Sequence, residues 1–244
     1  MAKAIMRAGL ITALAIGLVP IDGVAGESEP LEDVKIIIEH NATAEDTGFQ
    51  VFLDGEPWNR LEIEGPDRKP LLDVRARGPL KALGMTEFFF ETNEPPNANV
   101  PIEVLLEHFP EGDYEFEARS THGVELTGTA TLTHDIPKGP EILTPTKGQV
   151  VDPNDVVVTW KPVTESIFGK PVEIVGYEVI VVKPVEEHPP GFSNPELSVH
   201  VTGRTTSLTL PPQFFERATD YDLEVLALEV GGNQTISAST FSTK

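Results

Sequence analysis

The 244-residue chain is predicted to be all-β: two tandem β-sandwiches behind a signal peptide. Three observations predict this. Short runs alternate apolar and polar residues with a period of two, so every second side chain lies on one face of a strand. Twenty-two prolines and 20 glycines supply turns between such runs. Tyr114 and Tyr221 each open a run straight after a turn, the place for a tyrosine whose hydroxyl ties a strand to the preceding loop. At roughly 100–150 residues per domain, the length fits two domains.

Residues 1–26 read as the signal peptide. Lys3 and Arg7 precede the apolar run Ala8 to Val19, Pro20 breaks it, and Gly23-Val24-Ala25-Gly26 offers small residues for cleavage. The run is shorter than the ~20 residues a bilayer span needs, and no later run is long enough, so the mature chain is expected to have no membrane span. The destination implied is periplasmic or extracellular. With no cysteine, a lipoprotein anchor is excluded and the exported fold must hold together without disulfides. A formal charge of −21 disfavours nucleic acid and anionic lipid as partners. The mature chain is expected to be a monomer.

In residues 30–136, Val34, Ile36 and Ile38 alternate on one strand, and Phe49 to Leu53 form a second, which Asp54-Gly55 is expected to stop. Leu61 to Glu64 and Leu72 to Arg77 alternate on either side of a turn at Gly65-Pro66-Asp67. In Phe88-Phe89-Phe90 the outer two share a face, so Phe89 points the other way. One helix is predicted: Pro101 suits its first position, and Ile102, Leu105, Leu106 and Phe109 form one apolar stripe. A hairpin follows, with Tyr114, Phe116 and Ala118 facing in and Val124, Leu126, Ala130 and Leu132 returning. This half is expected to be an Ig-like β-sandwich with a short helical insertion. Residues 137–140, with two prolines, form a semi-rigid linker.

In residues 141–243, Val156, Val158 and Trp160 share a face. So do Val175, Tyr177, Val179 and Val181, and again Tyr221, Leu223, Val225 and Ala227. Trp160, Tyr177 and Tyr221 are therefore the predicted structural core. The run Val158-Thr159-Trp160-Lys161-Pro162-Val163, then Gly176-Tyr177-Glu178-Val179, Thr206 to Pro211, Thr219-Asp220-Tyr221-Asp222-Leu223, Gly231-Gly232-Asn233 and a last strand from Ser237 to Thr243 resembles a fibronectin type III domain. The resemblance covers a little under half of the chain. It departs from the family in the proline-rich insertion Lys183 to Glu196 and carries no Arg-Gly-Asp, so integrin binding is not implied.

The six histidines sit singly, no Gly-x-Ser-x-Gly run is present, and no histidine pair has metal-ligand spacing. The expected function is therefore an exported, non-enzymatic binding or scaffold protein that presents two sandwich modules to a protein or polymer partner. The alternative is a carbohydrate-binding accessory protein, in which Trp58 stacks on a sugar ring and Asn59 and Arg60 read hydroxyls. Asn41, Glu45, Asp46 and Asp54 are oxygen donors clustered in sequence, a candidate calcium set, and turn chemistry accounts for such residues equally well. No other cofactor is expected. Arg75 and Arg77 fall in a basic island with Arg68 and Lys69, expected to pair with acids across the sheet.

Overall fold

The computed structural model describes residues 28–185 and 194–244. The predicted signal peptide and the middle of the insertion between Lys183 and Glu196 lie outside these residues. The fold is an all-β sandwich. Its first half comprises β1 (Glu29–Pro30), β2 (Asp33–Asn41), β3 (Asp46–Glu64), β4 (Pro70–Arg75), α1 (Pro79–Leu83), β5 (Met85–Glu91), α2 (Ile102–His108), β6 (Gly112–Ser120) and β7 (Glu125–Leu132). Its second half comprises β8 (Ile142–Thr144), β9 (Gln149–Val151), β10 (Val157–Trp160), β11 (Ile174–Val182), β12 (Glu196–Thr202), β13 (Ser207–Thr209), a 3-10 turn at Pro212–Phe214, β14 (Asp220–Glu229) and β15 (Gln234–Thr243). Among the described residues no helix is long and apolar enough to cross a membrane.

β3 departs from expectation. Asp54-Gly55 does not end a strand; β3 runs through it for 19 residues. The pairing shifts register between Asp54 and Trp58 and again between Trp58 and Arg60. Such irregularities bend a strand and sharpen its twist. β3 therefore pairs with β2 and β5 along its first half and with β4 and β6 along its second, joining both layers of the first sandwich. Gly55 allows the close approach this needs, because a Cβ there would lie 2.9 Å from the Leu31 side chain. The buried cluster beneath includes Ile36, Ile38, Phe49, Trp58, Ile63, Tyr114 and Phe116.

The predicted helix forms at Ile102–His108, with Pro101 as its cap rather than its first residue, and only Leu106 is buried along it. Phe109 lies just past its end and stacks on Phe49 with ring centroids 3.7 Å apart. α1 is an additional short helix that the sequence pattern does not announce, and it buries no residue. Phe89 faces outward as expected and is 58% exposed.

The second half has two layers: β13-β10-β8 in one, and β15, β14, β11 and β12 side by side in the other. Its buried cluster contains Val158, Trp160, Tyr177, Val179, Leu223, Val225 and Phe241. Trp160 and Tyr177 pack with centroids 5.3 Å apart, and Tyr221 stacks on Phe241 at 5.4 Å. The Tyr177 hydroxyl accepts from the Val163 N–H at 2.8 Å and the Tyr221 hydroxyl from the Glu216 N–H at 2.8 Å, so each ring anchors a loop. The Tyr114 hydroxyl donates to the Pro110 carbonyl at 3.1 Å. Tyr221→Phe leaves the Glu216 amide without that acceptor and is expected to cost about 1–3 kcal/mol. Urea unfolding measures this, and an unchanged midpoint contradicts it. Val175 does not join the core: β11 slips register between Ile174 and Gly176, which turns Val175 out to 51% exposure.

The two halves share one sheet. β15 pairs in parallel with β2, with Gln234 opposite Glu39, Thr235 opposite His40 and Ile236 opposite Asn41. Further along, the same edge of β15 takes up β9, also in parallel. Pairing of this kind covers a strand edge that would otherwise be open to another chain.

Candidate functional site at the seam between the sandwiches

The residues from Ile136 to Gly139 are built into this seam rather than spanning a gap. Ile136 is fully buried. The Thr235 hydroxyl donates to the Pro137 carbonyl at 2.6 Å, and the Lys138 N–H donates to the Glu165 carbonyl at 2.9 Å. Asn233, 1% exposed, is the hub. Its Oδ1 accepts from the Ile38 N–H at 2.9 Å, and its Nδ2 donates to the Thr133 carbonyl at 2.9 Å and to the Asp135 carbonyl at 3.4 Å. One side chain thus satisfies backbone groups of β2 and of the segment after β7. Above it, the Ala42 N–H donates to the Ile236 carbonyl, and the Ala238 N–H donates to Thr43 Oγ1, both at 2.9 Å.

Over the outer face of this seam lies a group of carboxylates. Side-chain oxygens of Glu39, Glu91 and Glu94 lie within 4.8 Å of one another. Period two brings them together: Ile36 and Ile38 face the core, so Glu39 faces out, and Phe49 and Val51 do the same for Gln50. Glu91 stands opposite Gln50, and Gln234 opposite Glu39. Glu94 follows β5 and folds back over Gly48, where a Cβ would come within 2.7 Å of its Cγ. Gln234 Nε2 donates to Glu39, and Gln50 Nε2 donates to Glu91 at 3.0 Å. Among the described residues none of the three acids enters an ion pair with a lysine or arginine.

The electrostatics follow from burial. Desolvation pushes the Glu39 carboxyl above its usual value against the lowering hydrogen bond from Gln234, with Glu91 and Glu224 adding like charge. Glu94 is pushed up to about 7 by burial and then by Glu91, Glu39 and Asp46. His40 lies on the other side of β2, its Nδ1 3.0 Å from both the Asp46 carbonyl and Thr47 Oγ1, and burial lowers its pKa. Of these groups Glu94 is the one placed to exchange its proton near neutrality. A carboxyl whose folded pKa is raised contributes most stability below its unfolded value, and that contribution fades as pH climbs to the folded value. The stability difference between Glu94→Gln and the parent chain is expected to grow in favour of the variant between about pH 4.5 and 7, the interval spanned by the shift of Glu94. Urea midpoints at several pH values across that interval test this, and a difference that stays constant contradicts it.

Two expectations are corrected. The sugar-stacking role of Trp58 fails because the indole is fully buried: it packs edge-on against Phe88 at 6.1 Å, and its Nε1 lies 3.4 Å from the Thr86 carbonyl. Asn59 and Arg60 lie on the same strand but face away from that ring, Asn59 Nδ2 donating to the Lys81 carbonyl at 3.3 Å and Arg60 pairing with Glu62. The calcium set fails as a group because Asp54 is held away from Asn41, Glu45 and Asp46. Asp54 stands opposite Asp33 at one end of the β2–β3 hairpin and Asp46 opposite Asn41 at the other, about 26 Å apart at strand rise. Asn41 Oδ1 is occupied by the turn, accepting from the Thr43 and Ala44 N–H groups at 3.0 and 2.9 Å, and Glu45 sits in that turn at φ 58°. Trp160, Tyr177 and Tyr221 lie in the second core, at most 2% exposed. The carboxylate group at the seam escaped sequence reasoning because its members come from positions 39, 91 and 94 with a partner at 234. The one local signal was the outward phase of Glu39 and Glu91.

No family model matches the chain. No curated protein matches it. Among solved structures, the chicken CNTN1 FN1-FN3 domains are similar to this chain at 12% identity with a TM-score of 0.33, over 89% of this chain and 66% of that one. The chain therefore spans slightly under two thirds of that structure's length, and a likeness at that score carries no weight for fold or function.

Proposed function

We propose that this chain is an exported, non-enzymatic binding or scaffold protein that presents two β-sandwich modules, residues 30–136 and 141–243, to a protein or polymer partner. The second module is inferred to be fibronectin type III. In support, β13-β10-β8 forms one layer, β12-β11-β14-β15 the other, and Tyr221 anchors the loop before β14. Fold alone does not assign function. The observation that carries the reading is the seam: parallel pairing of β2 with β15 and the buried Asn233 hold the loops of both modules in one fixed arrangement. Fixed loops suit a presenting surface, because less conformational entropy is lost on binding.

The test is capture from a secreted and cell-surface fraction, with and without calcium, on immobilised protein beginning at Glu27. Saturable recovery of one protein or glycan, weakened when Asn233→Ala uncouples the modules, supports the reading. Turnover of a hydrolase substrate panel with no saturable partner overturns it.

A further inference from the structure

The chain has 39 acids against 18 lysines and arginines, yet several of its cations gather at one end of the first sandwich. Arg60 on β3 stands opposite Arg75 on β4 on one side and opposite Arg119 on β6 on the other. Like charges placed directly across a sheet repel. The next row along the same strands is acidic, with Asp73, Glu62 and Glu117 in register, and it neutralises only part of the first. Asp73 engages the Arg75 guanidinium at 2.8 Å, and Glu62 pairs with Arg60. Arg77, Lys81 and Arg119 enter no ion pair among the described residues.

A cavity of about 390 Å³ opens beside the arginine row, walled by Asn59, Arg60, Arg75, Arg77, Gly78 and Lys81. Its walls are tied in place. The Asn59 carbonyl accepts from the Ala76 N–H at 2.8 Å, while the Asn59 amide donates to the Lys81 carbonyl at 3.3 Å. Gly78, at φ +56°, turns the chain into α1 and brings Lys81 back toward the strand ends, and a Cβ on it would meet nothing within 4 Å. Arg60 Nε is buried without a hydrogen-bond acceptor, and Asp73 Oδ1 lies 3.8 Å from it. A buried donor of this kind suits a site whose acceptor is a ligand.

We propose that this cavity is an oxyanion site, which takes the charged group of a sulfate or phosphate ester. Guanidinium groups hold such oxyanions through paired hydrogen bonds, and an ammonium adds a compact point charge. Arg77 and Lys81 supply the unpaired charge, while Arg60, paired with Glu62, and Arg75, engaged by Asp73, form the walls. In so acidic a protein the pocket also gives an anionic partner a single orientation, because the acidic surface around it repels approach elsewhere.

The test is titration of the isotopically labelled protein with inorganic phosphate and, separately, inorganic sulfate, following the backbone amides of Asn59 and Gly78. The expected result is a saturable shift with at least one of the two ions, weakened tenfold or more in the double variant Arg77→Gln, Lys81→Gln and unchanged in Arg204→Gln on the second sandwich. Both replaced side chains lie on exposed residues, so the fold is expected to persist, and an unaltered melting curve verifies it. Tighter binding of phosphate assigns a phosphoryl ligand; equal or tighter binding of sulfate assigns a sulfate ester. Equal affinity in parent and double variant, or no saturable shift with either ion, overturns the proposal.

Discussion

Replacing Trp58 with alanine is expected to lower the unfolding free energy by about 3–5 kcal/mol, the range for removing a fully buried large aromatic side chain. The indole has no exposed surface, packs edge-on against Phe88 at 6.1 Å and directs its N–H to the Thr86 carbonyl. It sits where β3 changes pairing partners, opposite both Met85 and Ser120. The vacated volume would fall where the two layers of the first sandwich meet and β3 bends between them, so collapse around it is restricted. Urea denaturation measures the loss, and Trp58→Phe is expected to recover part of it. A loss below about 1 kcal/mol would place the ring outside the core and reopen a role in ligand stacking.

Asn233→Ala is expected to cost about 2–4 kcal/mol, the cost of leaving several buried polar groups unpaired at once. The Ile38 N–H and the carbonyls of Thr133 and Asp135 lose their partner, while Asn233 itself is 1% exposed and admits little water to replace it. These groups all belong to the first half and Asn233 to the second, so the effect should fall on the coupling of the halves. The parent is expected to unfold in one calorimetric transition and the variant in two, the lower one at reduced temperature. A single transition at the parental temperature would show that the three-residue pairing of β2 with β15 suffices alone.

The fold was largely legible because strand burial is a local pattern. Val158 and Trp160, Tyr177 and Val179, and Tyr221 and Leu223 alternate with outward residues, and the cores they form follow from that phase. The expectation failed where a strand broke phase or continued through a turn signal. Val175 has the right parity but sits in a register slip. Asp54-Gly55 has turn composition, yet Gly55 serves there to let Leu31 approach an unbroken strand.

The candidate site was much less legible. Asn41, Glu45, Asp46 and Asp54 are close in sequence, and an extended hairpin pulls Asp54 far from the rest. Glu39 is distant in sequence from Glu91 and Glu94 and meets them because β2, β3 and β5 lie side by side. Asn233, after Gly231-Gly232, has the composition of a turn residue, and its role depends on carbonyls about 100 positions away.

The alternation of side chains by itself determined that the chain would build sandwiches and which residues would line them, because a strand's two faces are set by neighbours two positions apart. Tertiary structure alone decided that β2 and β15 join the halves into one sheet and that Glu39 on β2, Glu91 on β5 and Glu94 just beyond it share one patch. Parallel pairing between remote segments is selected by the shape of both finished modules and by backbone groups common to every residue, so it leaves no periodic trace in the chain.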